Sequence, residues 1–153
     1  MFDAMLAWPN LCLAWEKVAD NRGSPGPDRV SIRRFARHWE ENLRRLQELV
    51  WAGQYRPGRL RRVAIPKRQG GQRLLSIPNV GDRIVQRAVL NVLERHLDRR
   101  FLACSFGYRP RRGVRHAVRE ILRLRDAGQT WVLDADIDDC FDSLDHALLA
   151  ELV

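Results

Sequence analysis

The sequence predicts a mixed α/β fold of the α+β kind: amphipathic helices around one β-hairpin, then a further strand leading into a last helix. Three observations predict it. Apolar residues recur at helical spacing through residues 32–51 and 82–101. Two strand-like runs, residues 58–67 and 72–78, flank "RQGG", a hairpin signal. The run "TWVLDADI" (130–137) alternates apolar residues with aspartates, as a half-buried strand would.

Taken in order, residues 2–19 read as a helix with Leu6, Leu11, Leu13, Trp15 and Val18 in the core. "DNRGSPGPD" (20–28) concentrates Gly and Pro into a loop. Ser31 is placed to cap a helix running to about Trp51, with Phe35, Trp39, Leu43, Leu46 and Val50 as its apolar stripe. Arg33, Arg34, Arg37, Arg44 and Arg45 fall mostly off that stripe and read as a solvated face. After the hairpin, residues 82–101 form an amphipathic helix with Ile84, Val85, Ala88, Val89, Val92, Leu93 and Leu97 inside. "SFGYRPRRG" (105–113) is a loop, and residues 114–128 a further helix ended by Gly128. The strand 130–137 and a last helix capped by Asp142 or Ser143 complete the chain.

The 153 residues fit one ordinary domain, and a 45% hydrophobic content excludes disorder throughout. No apolar run is long enough to span a membrane. The opening stretch holds Asp3 and lacks a basic n-region, so it reads as a helix rather than a signal peptide. Three widely spaced cysteines, Cys12, Cys104 and Cys140, form no zinc pattern, and reduced thiols point to a cytoplasmic setting.

Charge is unevenly placed. The formal net charge is +8, and of the 27 basic residues only Lys17 and Lys67 are lysine. Arginine grips phosphate with two donors, which favours a nucleic-acid partner; genomic codon bias is the bland alternative. Residues 56–73 hold seven basic residues and no acid. In "LDADIDDCFDSLDH" (133–146), by contrast, six of fourteen residues are aspartate. Such a cluster is unfavourable unless cations sit among the carboxylates.

Three readings compete for it. A calcium loop places acids at Asp134, Asp136, Asp138, Asp142 and Asp145, but puts Asp139 where glycine should turn. A strand-end metal site puts Asp134, Asp136 and Asp138 on one face and Leu133, Ala135 and Ile137 on the other. Such carboxylates suit two-metal phosphoryl transfer, with the basic hairpin gripping a nucleotide triphosphate. The third reading is capping and solvation, which suits Asp142 and Asp145 best and Asp136 least.

From Asn21 onward the chain resembles the N-terminal part of a group II intron-type reverse transcriptase, or intron maturase. "NRGSPGPDRVSIRRF" is similar to the family's early block through Asn21, Gly23, Gly26 and Asp28. "YRPGRLRRVAIPKRQGGQRLLSIPNVGDRIVQRAV" resembles its fingers hairpin and following helix, "SFGYRPRRGVRHAV" its next block, and "WVLDADIDDCFDSLDHALL" its first palm motif. The implied organisation is a helical segment 1–20, a fingers-type region 21–129 with the hairpin at 58–78, and the start of a palm at 130–153.

The resemblance implies an RNA-directed DNA polymerase, a nucleotidyltransferase working with two Mg2+ ions, with RNA, a DNA primer and a deoxynucleotide triphosphate as partners. Asp136 falls on the catalytic metal-binding aspartate, with the Ile137 carbonyl beside the second metal. Phe141 falls on the aromatic that lies under the incoming sugar and disfavours a 2′-hydroxyl. Lys67 and Arg73 fall on triphosphate contacts. Arg61, Arg62 and Arg68 fit scaffold or template-phosphate contacts, and Arg109 a template contact or a brace of the palm. His146 is expected to be packed. The family's Tyr/Phe-x-Asp-Asp and Gln-Gly blocks and its basic thumb helix have no counterpart in these residues. The expectation is therefore a fragment, inactive alone, with a second chain as one route to a complete palm. A non-enzymatic RNA-binding module is the rival from a different class.

Overall fold

The computed structural model describes all residues except 68, 69, 139, 142 and 153. The chain divides into two compact units, Met1–Leu102 and Ala103–Val153.

In the first unit the expected N-terminal helix is two: α1 (Phe2–Leu6) and α2 (Trp8–Asp20). Ala7 between them is extended, at φ −56° and ψ 133°. Proline lacks an N–H and clashes with the carbonyl four residues back inside a helix, so the helix restarts with Pro9 in its first turn. Leu6, Leu11, Trp15 and Val18 are buried as expected, but Leu13 is 43% exposed.

Ser31 does cap a helix, its Oγ accepting from the Arg34 N–H at 3.1 Å. That helix is short, α3 (Ile32–Ala36), and a break at residues 37–38 precedes α4 (Trp39–Trp51). Asn42 Nδ2 donates to the Phe35 carbonyl across the break at 3.2 Å. Phe35 packs against Trp15 with ring centroids 4.8 Å apart and planes tilted by 36°, and Trp39 stacks on Trp8 at 6.3 Å. The break is therefore where both aromatics meet α2.

The hairpin pairs β1 (Arg61–Pro66) antiparallel with β2 (Gln72–Ile77), Arg61 opposite Ile77 and Pro66 opposite Gln72. The Lys67 N–H donates to the Gly71 carbonyl at 3.0 Å, extending the ladder by one pair. Gly70 and Gly71 turn the chain at φ 88° and 83°, a region that costs glycine little. The sheet lies largely exposed to solvent.

α5 (Val80–Leu97) supplies the other wall of the core, ending in a 3₁₀ turn at Asp98–Arg100. Leu11, Ala14, Trp15 and Val18 pack with Phe35, Leu43, Val80, Ile84 and Ala88. Leu97, expected inside, is the last residue of α5 and 46% exposed. Polar side chains close the gaps between elements: Asn10 Nδ2 donates to the Met5 and Ala88 carbonyls at 2.9 and 3.0 Å, and Gln47 Nε2 to the Leu6 carbonyl at 2.7 Å.

The second unit holds α6 (Val114–Asp126) and α7 (His146–Leu152). α6 ends as expected at Gly128, φ 90°. The Gly128 N–H reaches the Arg125 carbonyl and the Gln129 N–H the Leu124 carbonyl, the two bonds of a Schellman cap.

Two expectations fail in this unit. Residues 130–137 form no strand, and Trp131, Leu133 and Ile137 are 96, 91 and 70% exposed. A strand needs a neighbour for its backbone groups, and the one sheet among the described residues is the β1–β2 hairpin. The cap of α7 is Asp145: its Oδ1 accepts from Ala147 N at 2.8 Å and Leu148 N at 3.2 Å. Ser143 Oγ instead donates to the Cys140 carbonyl at 3.0 Å, and Asp142 lies outside the described residues. His146, expected to be packed, is the exposed first residue of α7.

Candidate nucleotide and nucleic-acid interface

The hairpin springs from a buried carboxylate. Asp82, in the first turn of α5, is 7% exposed. Its Oδ1 accepts from the Tyr55 hydroxyl at 2.5 Å and its Oδ2 from the Gly58 N–H at 3.1 Å. Tyr55 and Gly58 lie on the approach to β1, while Asp82 follows the exit from β2, so one side chain ties both ends of the hairpin. Burial, then the hydrogen bond and charge of Asp82, push the Tyr55 hydroxyl above its ordinary value.

The Gly/Pro-rich loop packs on the same root. Asn79 Oδ1 accepts from the Asp28 N–H at 3.3 Å, and Arg83 Nη2 donates to the Ser24 carbonyl at 2.9 Å. A Cβ on Gly26 would meet the Asn79 backbone at 2.7 Å, and one on Gly58 would collide with the Asn79 amide. Nothing in the sequence pattern singles out Asp82, Tyr55 or Asn79. Asp82 reads there as an ordinary acid at a helix start, and its partners lie 24 and 27 residues away.

The hairpin brings several expected site residues together. Directly paired residues share a face, so Arg61 with Ile77, Val63 with Leu75 and Ile65 with Arg73 line one side. Continuing the alternation puts Lys67 on that side next to Arg73, with both side chains exposed. Arg62, opposite Ser76, lies on the other side. Arg68 lies outside the described residues.

The other expected residues belong to the second unit. Asp136 and Phe141 are exposed, and the Ile137 N–H donates to Asp136 Oδ1 at 2.9 Å. Arg109 is half-buried and donates to the Ser105 carbonyl at 3.1 Å. In the same loop Arg112 donates to the Ala103 carbonyl and lies 5.7 Å from the Phe106 ring.

The stretch from β1 through α7 matches a known family. Residues 65–152, more than half of the chain, fit the sequence model of reverse transcriptases (RNA-dependent DNA polymerases). This chain belongs to the reverse transcriptase family. Protein YkfC of Escherichia coli (strain K12) is 40% identical over 134 residues, covering 85% of this chain and 35% of the relative. Group II intron-encoded protein LtrA of Lactococcus lactis subsp. cremoris is 34% identical over 115 residues, 74% of this chain and 19% of the relative. A putative COX1/OXI3 intron 1 protein of Saccharomyces cerevisiae (strain ATCC 204508 / S288c) is 32% identical over 107 residues, 70% of this chain and 13% of the relative. The resemblance to group II intron-type members is thus borne out. The chain spans about a third or less of the length of these curated relatives.

A two-metal reverse transcriptase centre needs several carboxylates in fixed geometry. Among the described residues no three His, Cys, Asp or Glu side chains gather to hold a metal. Asp136 supplies one exposed carboxylate, with one oxygen already accepting from Ile137. The described residues therefore do not by themselves make such a centre, for two Mg2+ ions or for a calcium ion. Nor is any helix among them long and apolar enough to cross a membrane.

Proposed function

We propose that this chain forms the fingers and the beginning of the palm of a group II intron-encoded, maturase-like RNA-directed DNA polymerase. In this reading residues 21–129 are fingers-type and 130–153 open the palm. The carrying observation is the family match over residues 65–152, which takes in most of the basic hairpin and the aspartate motif. Lys67 and Arg73, neighbours on one hairpin face, hold the triphosphate of a deoxynucleotide. Arg61, Arg62 and Arg68 contact template phosphates, where an arginine fork matches a phosphate. Arg109 braces its own loop beside the template. Phe141 lies under the incoming sugar, and Asp136 with the Ile137 carbonyl offers oxygen ligands toward the primer end.

Polymerisation needs more carboxylates than Asp136 provides. On this reading the 153 residues bind RNA and nucleotide, and further palm segments, from the same or a second chain, supply the remaining magnesium ligands. The exposed Trp131, Val132 and Leu133 favour such a covering partner. The test is primer extension on an RNA template with magnesium and the 153-residue chain alone. No extension is expected; DNA synthesis would overturn the division of labour.

A non-enzymatic RNA-binding module is the second reading, favoured by the solvent-exposed Arg61 and Arg62 and by the lack of a metal-holding cluster among the described residues. It requires RNA binding that is salt-dependent and indifferent to Asp136→Ala, with no magnesium-dependent nucleotide binding.

A further inference from the structure

Arg83 and Arg87 stand one turn apart on α5, and each is half-buried. The Nε of each is sealed from solvent and finds no acceptor. Burial draws the Arg83 guanidinium below its ordinary value, against the pull of Asp28. Arg83 is partly engaged, through the Ser24 carbonyl. The two arginines line one shallow cleft with Val18, Asn21, Gln86 and Leu90, and no carboxylate lines it.

The line continues along the helix. Asn91 and Arg95 follow Arg87 at four-residue steps, about 6 Å apart along the axis. Arg87, Asn91 and Arg95 also line the adjoining groove, together with His96. Glu94 lies in that groove too, whereas no carboxylate lines the cleft at Arg83 and Arg87.

We infer that this cleft between the end of α2 and the middle of α5 is a second phosphate-binding surface, whose ligand is the sugar–phosphate backbone of RNA. Arg83 and Arg87 hold the phosphate, and the Asn21 and Gln86 amides face the sugar. Guanidinium forks with neutral amides suit a phosphodiester, which needs directed donors rather than bulk charge. The inference rests on the proposed RNA-binding function but uses none of the hairpin arginines.

Fluorescence anisotropy of a labelled single-stranded RNA, titrated with the full 153-residue chain across a potassium chloride series, tests it. Arg87→Gln is the primary variant, because its replacement breaks no described bond. It is expected to weaken binding about 3- to 10-fold and to make the log K against log salt slope shallower by about 0.7, one phosphate contact. Arg87→Lys keeps the charge and should retain the slope while binding less tightly than the native chain. Native-like binding by both variants, with weakened binding by Arg61→Gln/Arg62→Gln, would overturn this site and leave the proposed function standing. A native chain that binds no RNA would overturn both. Circular dichroism of each variant checks that α5 is retained.

Discussion

The Tyr55 hydroxyl donates to the buried carboxylate of Asp82 at 2.5 Å, joining the approach to the hairpin to the helix that leaves it. Tyr55→Phe deletes the donor and leaves a buried carboxylate oxygen short of a partner. A loss of about 1–3 kcal/mol is expected, read as a lower urea midpoint with an unchanged slope. A variant as stable as the native chain would show that the bond does not hold the hairpin root.

The same bond predicts a pH dependence. Burial, with Asp82 adding to it, raises the Tyr55 hydroxyl above its ordinary value near 10. The folded state therefore holds this proton more tightly than the unfolded chain does. The stabilisation is complete below about pH 10 and is lost as pH rises through the folded-state value. In denaturant titrations the stability gap between native chain and Tyr55→Phe should narrow above about pH 10. A gap constant with pH would contradict the assignment.

Gly26 is fixed by what it touches. Its missing Cβ leaves room for the Asn79 backbone, which a methyl would approach to 2.7 Å. Gly26→Ala is expected to cost about 1–3 kcal/mol through overpacking. At Gly107, in the second unit, an added methyl would meet nothing within 4 Å, so alanine should be tolerated within about 0.5 kcal/mol. Thermal unfolding of the two variants compares them directly.

Asp145, rather than Ser143, caps the last helix. Asp145→Ala is expected to remove about 1 kcal/mol of helix stability, while Ser143→Ala leaves helicity unchanged. Chemical shifts of residues 146–152 report both outcomes.

These particulars mark where sequence reading works and where it stops. The hairpin is legible because two glycines, which take up positive φ, lie between two strand-like runs. The end of α6 is legible because Gly128 carries a local signal. Pro9 signals the division between α1 and α2, but an apolar stripe runs across it and masks the signal. The break at residues 37–38 carries no such residue; it accompanies the meeting of Phe35 with Trp15 and of Trp39 with Trp8, both long-range contacts. The strand expected at 130–137 fails for a similar reason: alternation describes a face, whereas a strand also needs a partner. Asp136 is recognisable from its motif, but its aspartate neighbours do not gather into a metal cluster among the described residues. Asp82 is invisible in the sequence because its burial depends on Tyr55 and Gly58, far along the chain.

Lys67 and Arg73 carry the claim that separates a polymerase part from a simple RNA binder. The most direct measurement is a calorimetric titration of the 153-residue chain with a deoxynucleotide triphosphate in magnesium, repeated with Lys67→Ala and Arg73→Ala. Binding by the native chain, weakened about 10-fold or more by either substitution, is expected, since each removes a charge-assisted contact to phosphate. RNA binding by a chain that shows no nucleotide binding, or nucleotide binding indifferent to both substitutions, would contradict it.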